Sequence, residues 1–314
     1  MKKIKEIKNA LNSINNNIYI AGHIKPDQDS IGSCLSLASF LNSIGKKAYV
    51  LLEDIDKDII KWQNDYSLIV NKINDKNYTF IALDLNEKKR LGRFETYFDT
   101  ASYTINIDHH QDNKKEADFI LSIPGISSTC EIIFNIINSF GKEYFTTSIC
   151  ESLYAGIMND TNCFSRRISS DTLKITQKLI NKGINYSYII KKTLTERTMY
   201  EFKALAKLIN EIKYDGFHYV IVDKENECFN NLTHNQIVKK IAEDLRTIEG
   251  IDVFILIIKN QDIITAKCMS NISENADKIA TLFNGGGHKK EAGFTVKDIS
   301  IEEILKTIKN YLTK

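Results

Sequence analysis

The chain has 314 residues, of which 43% are hydrophobic and 26% charged, a balance typical of globular proteins with an ordinary core. Its length exceeds what one typical domain needs, so two domains are expected. A formal net charge of +2 argues against a protein that grips long nucleic acid through a broad basic face, yet leaves room for a small nucleotide held by a local cluster of donors.

Met1 to Ile14 alternates lysine with isoleucine and leucine at helical spacing and lacks the continuous apolar core of a signal peptide. Strand-like and helix-like segments then alternate. Residues 18–21 read as a strand, 30–44 as a helix closed by Gly45, and 48–52, 78–83 and 103–107 as strands. Residues 128–140 have apolar positions at helical spacing and end at Gly141; 148–158 and 171–180 read as further helices. This alternation predicts an α/β fold, with a mostly parallel sheet covered on both faces. Residues 186–212 have mixed polarity and read as a helical connector. A second α/β pattern follows: strands at 217–222, 253–258, 263–268 and 292–296, helices at 233–248 and 275–283, and a final helix. The expected division is a catalytic domain over 1–188, a connector over 189–212 and a smaller α/β domain over 213–314. The longest apolar run, 253–258, is about a third of the roughly 20 residues that span a bilayer, so no membrane segment is expected. Six cysteines (Cys34, Cys130, Cys150, Cys163, Cys228, Cys268) are scattered without a C-x-x-C pair, which fits reduced thiols in a cytoplasmic protein.

The ends of the first-domain strands carry a pattern. His23, Asp27 and Asp29 follow the first strand, Asp84 follows the strand at 78–83, and Asp108, His109 and His110 close the strand at 103–107. Asp160 follows an apolar helix. A parallel sheet gathers such ends at one edge, where open α/β folds bind ligands. Carboxylates with imidazoles suit manganese, iron or zinc. There are too many ligands for one ion, and they suit two ions about 3.5–4 Å apart that share a carboxylate. Asp27 and Asp29, at i and i+2 of an extended loop, can face neighbouring ions. Each residue alone has a blander reading: an aspartate after a strand is usually a turn former or helix cap, and Asp29 could cap a helix starting at Ser30. Recurrence at successive strand ends favours the site.

Together these blocks, His23-x-x-x-Asp27-x-Asp29, Asp84, Asp108-His109-His110 and Asp160, resemble the DHH phosphoesterase family. Asn284-Gly285-Gly286-Gly287-His288-Lys289-Lys290-Glu291-Ala292-Gly293 resembles the signature of the DHH-associated domain that accompanies it. Ile31-Gly32-Ser33, Ser127-Ser128-Thr129-Cys130-Glu131 and Ile248-Glu249-Gly250 fit the NrnA-like branch, which acts on short oligoribonucleotides and adenosine bisphosphate (pAp). The resemblance covers nearly the whole chain. It implies that His23, Asp27 and Asp84 hold one divalent ion and that Asp29, Asp84, His109 and Asp160 hold a second, with Asp84 bridging and Mn2+ the expected metal. It implies that Asp108 orients the site and that His110 reaches the substrate phosphate, making Asp84, Asp108 and His110 the catalytic set.

Glycines 285–287 remove side chains so that backbone N–H groups can approach a phosphate, and His288 adds a donor. The branch places an arginine where this chain has Met269. Lys267, Lys289 or Arg166 are the cations available to replace its planar grip on phosphate. The expected function is metal-dependent hydrolysis of short oligoribonucleotides, pAp or both to mononucleotides, with the second domain holding the far end of the substrate across a cleft. Linear or cyclic dinucleotides are the alternative substrates. An inactive nucleotide-binding regulatory module is the alternative from another class, supported by Met269. A RecJ-like DNA exonuclease and a family II pyrophosphatase fit the length and the Gly-Gly-Gly-His motif less well. The partners expected are a short RNA or nucleotide substrate and no membrane, and a homodimer is left open.

Overall fold

The computed structural model describes residues 2–53, 55, 63–230, 232–233 and 236–313. The chain forms two units, Met1–Glu196 and Arg197–Lys314. In the first, among the described residues, five strands lie parallel in the order β2-β1-β3-β4-β5: β1 (Asn17–Ala21), β2 (Ala48–Leu51), β3 (Tyr78–Leu83), β4 (Tyr103–Asp108) and β5 (Phe119–Ser122). The strand β5 has no counterpart in the sequence reading; it is short and flanked by polar loops, so its apolar signal is weak.

Alternation along the strands separates two cores. Ile18, Ile20, Ile81, Leu83, Ile105 and Ile107 pack against α1 (Lys2–Ser13), α2 (Gln28–Ser43), α4 (Thr129–Phe140) and α5 (Thr147–Asp160). On the opposite face Tyr19, Ala21, Phe80 and Ala82 meet Leu91, Phe94 and Phe98, the last from α3 (Glu95–Thr100). The helices α6 (Ser170–Ile180) and α7 (Tyr186–Ile190) complete the described helices of this unit. Strand order reverses between β1 and β3, so the crevice at a parallel sheet's carboxyl edge falls there. Register aligns that edge: Ala21 pairs with Ala82, and Leu83 with Ile107.

Close approach of α2 and α5 finishes the positioning. A Cβ at Gly32 would lie 2.3 Å from the Ser152 carbonyl oxygen, and one at Gly156 would lie 2.3 Å from Cys130 Sγ and 3.0 Å from Asp29 Cα. Two glycines thus let these helices meet backbone to backbone, bringing the start of α2 beside the end of α5.

The second unit is built on a six-stranded sheet, among the described residues, in the order β10-β11-β9-β8-β7-β6. The strands are β6 (Lys213–Tyr214), β7 (His218–Asp223), β8 (Val253–Asn260), β9 (Ile263–Ser270), β10 (Gly286–His288) and β11 (Glu291–Lys297). Only the β7–β8 pair is parallel. One face packs on α8 (Met199–Asn210) and on α10 (Ala242–Arg246); the other packs on α11 (Ala276–Thr281) and α12 (Ile301–Leu312). The short α9 (Glu227–Asn230) lies between α8 and α10 in the chain. Of the helix expected over 233–248, residues 234–235 lie outside the described residues; the remainder is a π-helical stretch, Gln236–Ile241, that runs into α10. Among the described residues no helix is long and apolar enough to cross a membrane.

Gly32→Ala is expected to force α2 away from α5 and to cost about 1–3 kcal/mol by overpacking. Denaturant titration checks this, and an unchanged midpoint would contradict the close-contact argument.

Candidate metal centre

The ligand candidates of the first unit come from the ends of three strands and two helices, and all lie at the carboxyl edge of the sheet. His23 follows β1 and is buried, with Nε2 3.7 Å from Asp84 Oδ2 and 3.9 Å from Asp27 Oδ2. Asp27, not Asp29, is the N-cap of α2: its Oδ1 accepts the N–H groups of Asp29 and Ser30, each at 3.1 Å. Capping uses one oxygen, and the other, Oδ2, is the atom near His23. Asp29 lies inside the first turn of α2, fully buried. Its carboxylate accepts the N–H of Thr129 at 2.7 Å and of Cys130 at 2.8 Å, at the positive end of the α4 dipole.

Asp84 directly follows β3 with φ +60°, a left-handed conformation that aspartate tolerates better than most residues. The turn points its carboxylate across the edge. Oδ1 lies 3.4 Å from His109 Nε2 and accepts from Thr129 Oγ1 at 3.1 Å, while Oδ2 faces His23. His109 Nε2 is also 3.3 Å from Asp160 Oδ2, at the end of α5. Beyond Asp160, Asn162, Cys163 and Phe164 all take positive φ, turning the chain sharply away.

Two ligand trios result, His23–Asp27–Asp84 and Asp29–His109–Asp160, each with donor atoms within 4.8 Å of one another; His110 forms a third such group with Asp84 and His109. Asp108, the last residue of β4, is fully buried and turned to His110 rather than into a trio: His110 Nδ1 donates to Asp108 Oδ1 at 2.6 Å.

The electrostatics fit a cation. Burial, reinforced by repulsion from Asp84, pushes the Asp29 carboxyl up to about 7, although His109 and the Cys130 N–H oppose it. Burial and the charges of Asp29 and Asp27 hold Asp160 well above the ordinary carboxyl range. Burial disfavours protonated His109, but Asp84, Asp160 and Asp29 together raise it to about 11. Asp108 behaves oppositely: burial raises it, but hydrogen bonds from His110 and Asn113 outweigh burial and hold it below its usual value. Carboxyls and an imidazole whose proton affinities are all raised report unbalanced negative charge. Carboxylate oxygens and imidazole nitrogens in two adjacent sets are donors that divalent transition metals accept.

In the second unit, Gly286, Gly287 and His288 are not an open loop but an exposed edge strand, paired to Gly293, Ala292 and Glu291. The side-chain-free positions serve packing as well as access. A Cβ at Gly285 would lie 2.3 Å from Gly293 O, and one at Gly287, with φ +146°, 2.5 Å from Ala292 Cα. Gly286 alone of the three faces open space. Met269 is fully buried in the core. Lys267 is buried too, with Nζ donating to Val238 O at 2.9 Å and lying 2.9 Å from Glu291 Oε1 and 3.8 Å from Glu243 Oε1. Its charge is therefore answered within the unit. Thr129, named in the sequence only within the Ser127–Glu131 motif and without a role, touches two of the candidate ligand carboxylates, those of Asp29 and Asp84.

This fold and edge define a phosphoesterase. Residues 17–157 match the DHH family N-terminal domain and residues 217–314 match the DHHA1 domain, so the chain belongs to the DHH family. It is a hydrolase acting on phosphoester bonds. It is 25% identical to the bifunctional oligoribonuclease and PAP phosphatase NrnA of Thermus thermophilus, over 100% of this chain and 95% of that protein. It is also 25% identical to the cyclic-di-AMP phosphodiesterase PdeA of Listeria monocytogenes over 93% of this chain, but spans only 46% of that relative. An exopolyphosphatase-related protein from Bacteroides fragilis shares the fold at a TM-score of 0.87 and 22% identity, covering 99% of this chain and 96% of that one. RecJ from Thermus thermophilus, solved with Mn2+, shares the fold at a TM-score of 0.59 and 10% identity, covering 100% of this chain and 55% of that one.

A pH prediction follows from the raised groups. Asp29 sits above its ordinary 3.8, at about 7, so its contribution to stability is full below about 4 and is lost as pH rises through 7. His109 has the same sign: its contribution is full below 6.5 and is lost as pH rises toward 11. With a chelator present, the melting temperature is therefore expected to fall between pH 6 and pH 9, and Mn2+ is expected to restore more at pH 9 because the Asp29 proton no longer competes. Thermal melts at both pH values check this; a larger metal effect at pH 6 would contradict the assignment.

Proposed function

We propose that this chain is a two-metal phosphoesterase that hydrolyses short oligoribonucleotides, pAp or both to mononucleotides. The observation that carries the reading is the divided carboxylate of Asp84, whose two oxygens face different ligand trios. His23, Asp27 and Asp84 would hold one ion, and Asp29, Asp84, His109 and Asp160 the other. When bound, two divalent ions, Mn2+ the first choice, supply charge to the phosphoryl oxygens and lower the pKa of water.

The chain's own groups then have distinct tasks. The backbone N–H groups of Thr129 and Cys130 fix the Asp29 carboxylate, and Thr129 Oγ1 fixes Asp84. Asp108 orients His110, which meets the substrate phosphate. Asp84, Asp108 and His110 are the proposed catalytic set. Gly285, Gly286, Gly287 and His288 are the proposed substrate-binding residues of the second unit, with Gly286 the position open to a ligand. Lys267 is given no part, because its ammonium is bound by Glu291 and Val238. Similarity to NrnA along nearly the full length of both proteins supports RNA and pAp as substrates. Similarity to cyclic-di-AMP phosphodiesterases supports linear or cyclic dinucleotides as the second reading. The intact ligand set disfavours an inactive regulatory module.

A panel of di- to pentaribonucleotides, pAp, cyclic di-AMP, its linear product and single-stranded DNA, assayed with Mn2+, tests the substrate. Turnover is expected to be fastest on the short ribonucleotides or pAp; a preference for cyclic di-AMP or long DNA would replace the reading. Asp84→Ala is expected to abolish turnover with the fold retained, and Mn2+-dependent hydrolysis surviving in that variant would sink the shared-carboxylate assignment. His288→Ala is expected to raise KM on the preferred substrate more than it lowers kcat.

A further inference from the structure

The polar contacts of His110 do not end at Asp108. Asp108 is fully buried, and its second oxygen, Oδ2, accepts from Asn113 Nδ2 at 2.8 Å. The same amide nitrogen donates to Asn106 Oδ1 at 2.7 Å, so both amide hydrogens are engaged in short bonds. Asn113 Oδ1 in turn accepts the Lys115 N–H at 3.0 Å, which fixes the amide's orientation. Asn106 Nδ2 donates to the Leu85 carbonyl at 3.1 Å, one residue beyond Asp84. A continuous chain of hydrogen bonds thus runs from the backbone beside Asp84, through Asn106, Asn113 and Asp108, to the His110 ring.

This wiring has a chemical consequence. An ionised carboxylate only accepts, so His110 must present Nδ1–H to Asp108, which fixes which side of the ring faces the carboxylate. Held through one oxygen, a carboxylate can swing about its own axis and carry the imidazole with it. Held through both, it cannot. A ligand atom of His110 lies within 4.8 Å of those of Asp84 and His109, so a small rotation would change its distance to the cluster. We infer that Asn113 is a positioning residue, clamping Asp108 to the strand end that carries Asp84 so that His110 keeps its tautomer and its aim. This rests on the proposed role of His110 at the substrate phosphate and adds a residue to it.

The test compares Asn113→Asp and Asn113→Ala, each alone and combined with His110→Ala, on the ribonucleotide turned over fastest. Asn113→Asp keeps the size but places an acceptor against the oxygens of Asp108 and Asn106. Both single variants are expected to lower kcat about tenfold, with KM and Mn2+ stoichiometry unchanged. Neither is expected to lower activity further once His110 is alanine. Asn113→Asp as active as the parent, loss of bound Mn2+, or a full additional loss on top of His110→Ala would each overturn the inference. Should Asn113→Asp fail to fold, Asn113→Ala alone and with His110→Ala decides by the same outcomes. If His110→Ala itself is as active as the parent, the role of His110 falls and the inference with it. Activity lost in His110→Ala but kept in Asn113→Asp removes the inference alone.

Discussion

Four carboxylates, those of Asp27, Asp29, Asp84 and Asp160, converge with two imidazoles on one buried edge of a parallel sheet, and their mutual repulsion is the constraint to which the surrounding structure responds. Like charges taken out of water raise one another's proton affinity unless something positive answers them. Part of the answer is built in: the first turn of α4 offers two N–H groups to Asp29, and the first turn of α2 offers two to Asp27. The remainder requires cations. A cluster with so much unanswered negative charge makes poor sense as a structural element, since a well-packed apolar replacement would be at least as stable. It makes good sense as a place where charged phosphoryl oxygens are brought between metal ions.

The second unit answers a different constraint, that of exposing backbone without losing the sheet. Glycines at 285 and 287 allow β10 to lie tight against β11, and the exposed Gly286 keeps one stretch of main chain free of side-chain bulk. Meanwhile the interior of β9 is closed to ligands. Met269 fills core volume and Lys267 is neutralised, so any phosphate contact in this unit falls to residues nearer its exposed edge.

Most of the candidate metal centre was legible in the sequence because a parallel sheet converts strand-end positions into spatial neighbours. His23, Asp84, Asp108 and His109 needed only the strand boundaries. Asp160 was harder, since it ends a helix, and its place depends on the α2–α5 contact that Gly32 and Gly156 permit. The roles of Asp27 and Asp29 were entangled: both lie where a cap could form, and only the backbone path shows that Asp27 caps while Asp29 enters the helix. The glycine motif was legible as a motif but not as an edge strand, because three glycines carry no periodicity. Asn106 and Asn113 were invisible for a related reason, and Thr129 was visible only as part of a motif, not in its contacts. Their roles rest on individual hydrogen bonds, short-range for Asn113 with Asp108 and long-range for Thr129 with Asp29, and neither composition nor spacing records such a bond.

The scatter of the ligands along the chain also governs when the centre can exist. His23, Asp27, Asp29, Asp84 and His109 all leave the ribosome before α5 does, yet the second trio closes only with Asp160, the last residue of that helix. A nascent chain that stops short of it exposes acidic groups with no completed pair of metal pockets. The complete set of candidate ligands thus exists only once the first unit has docked its late helix onto an early one.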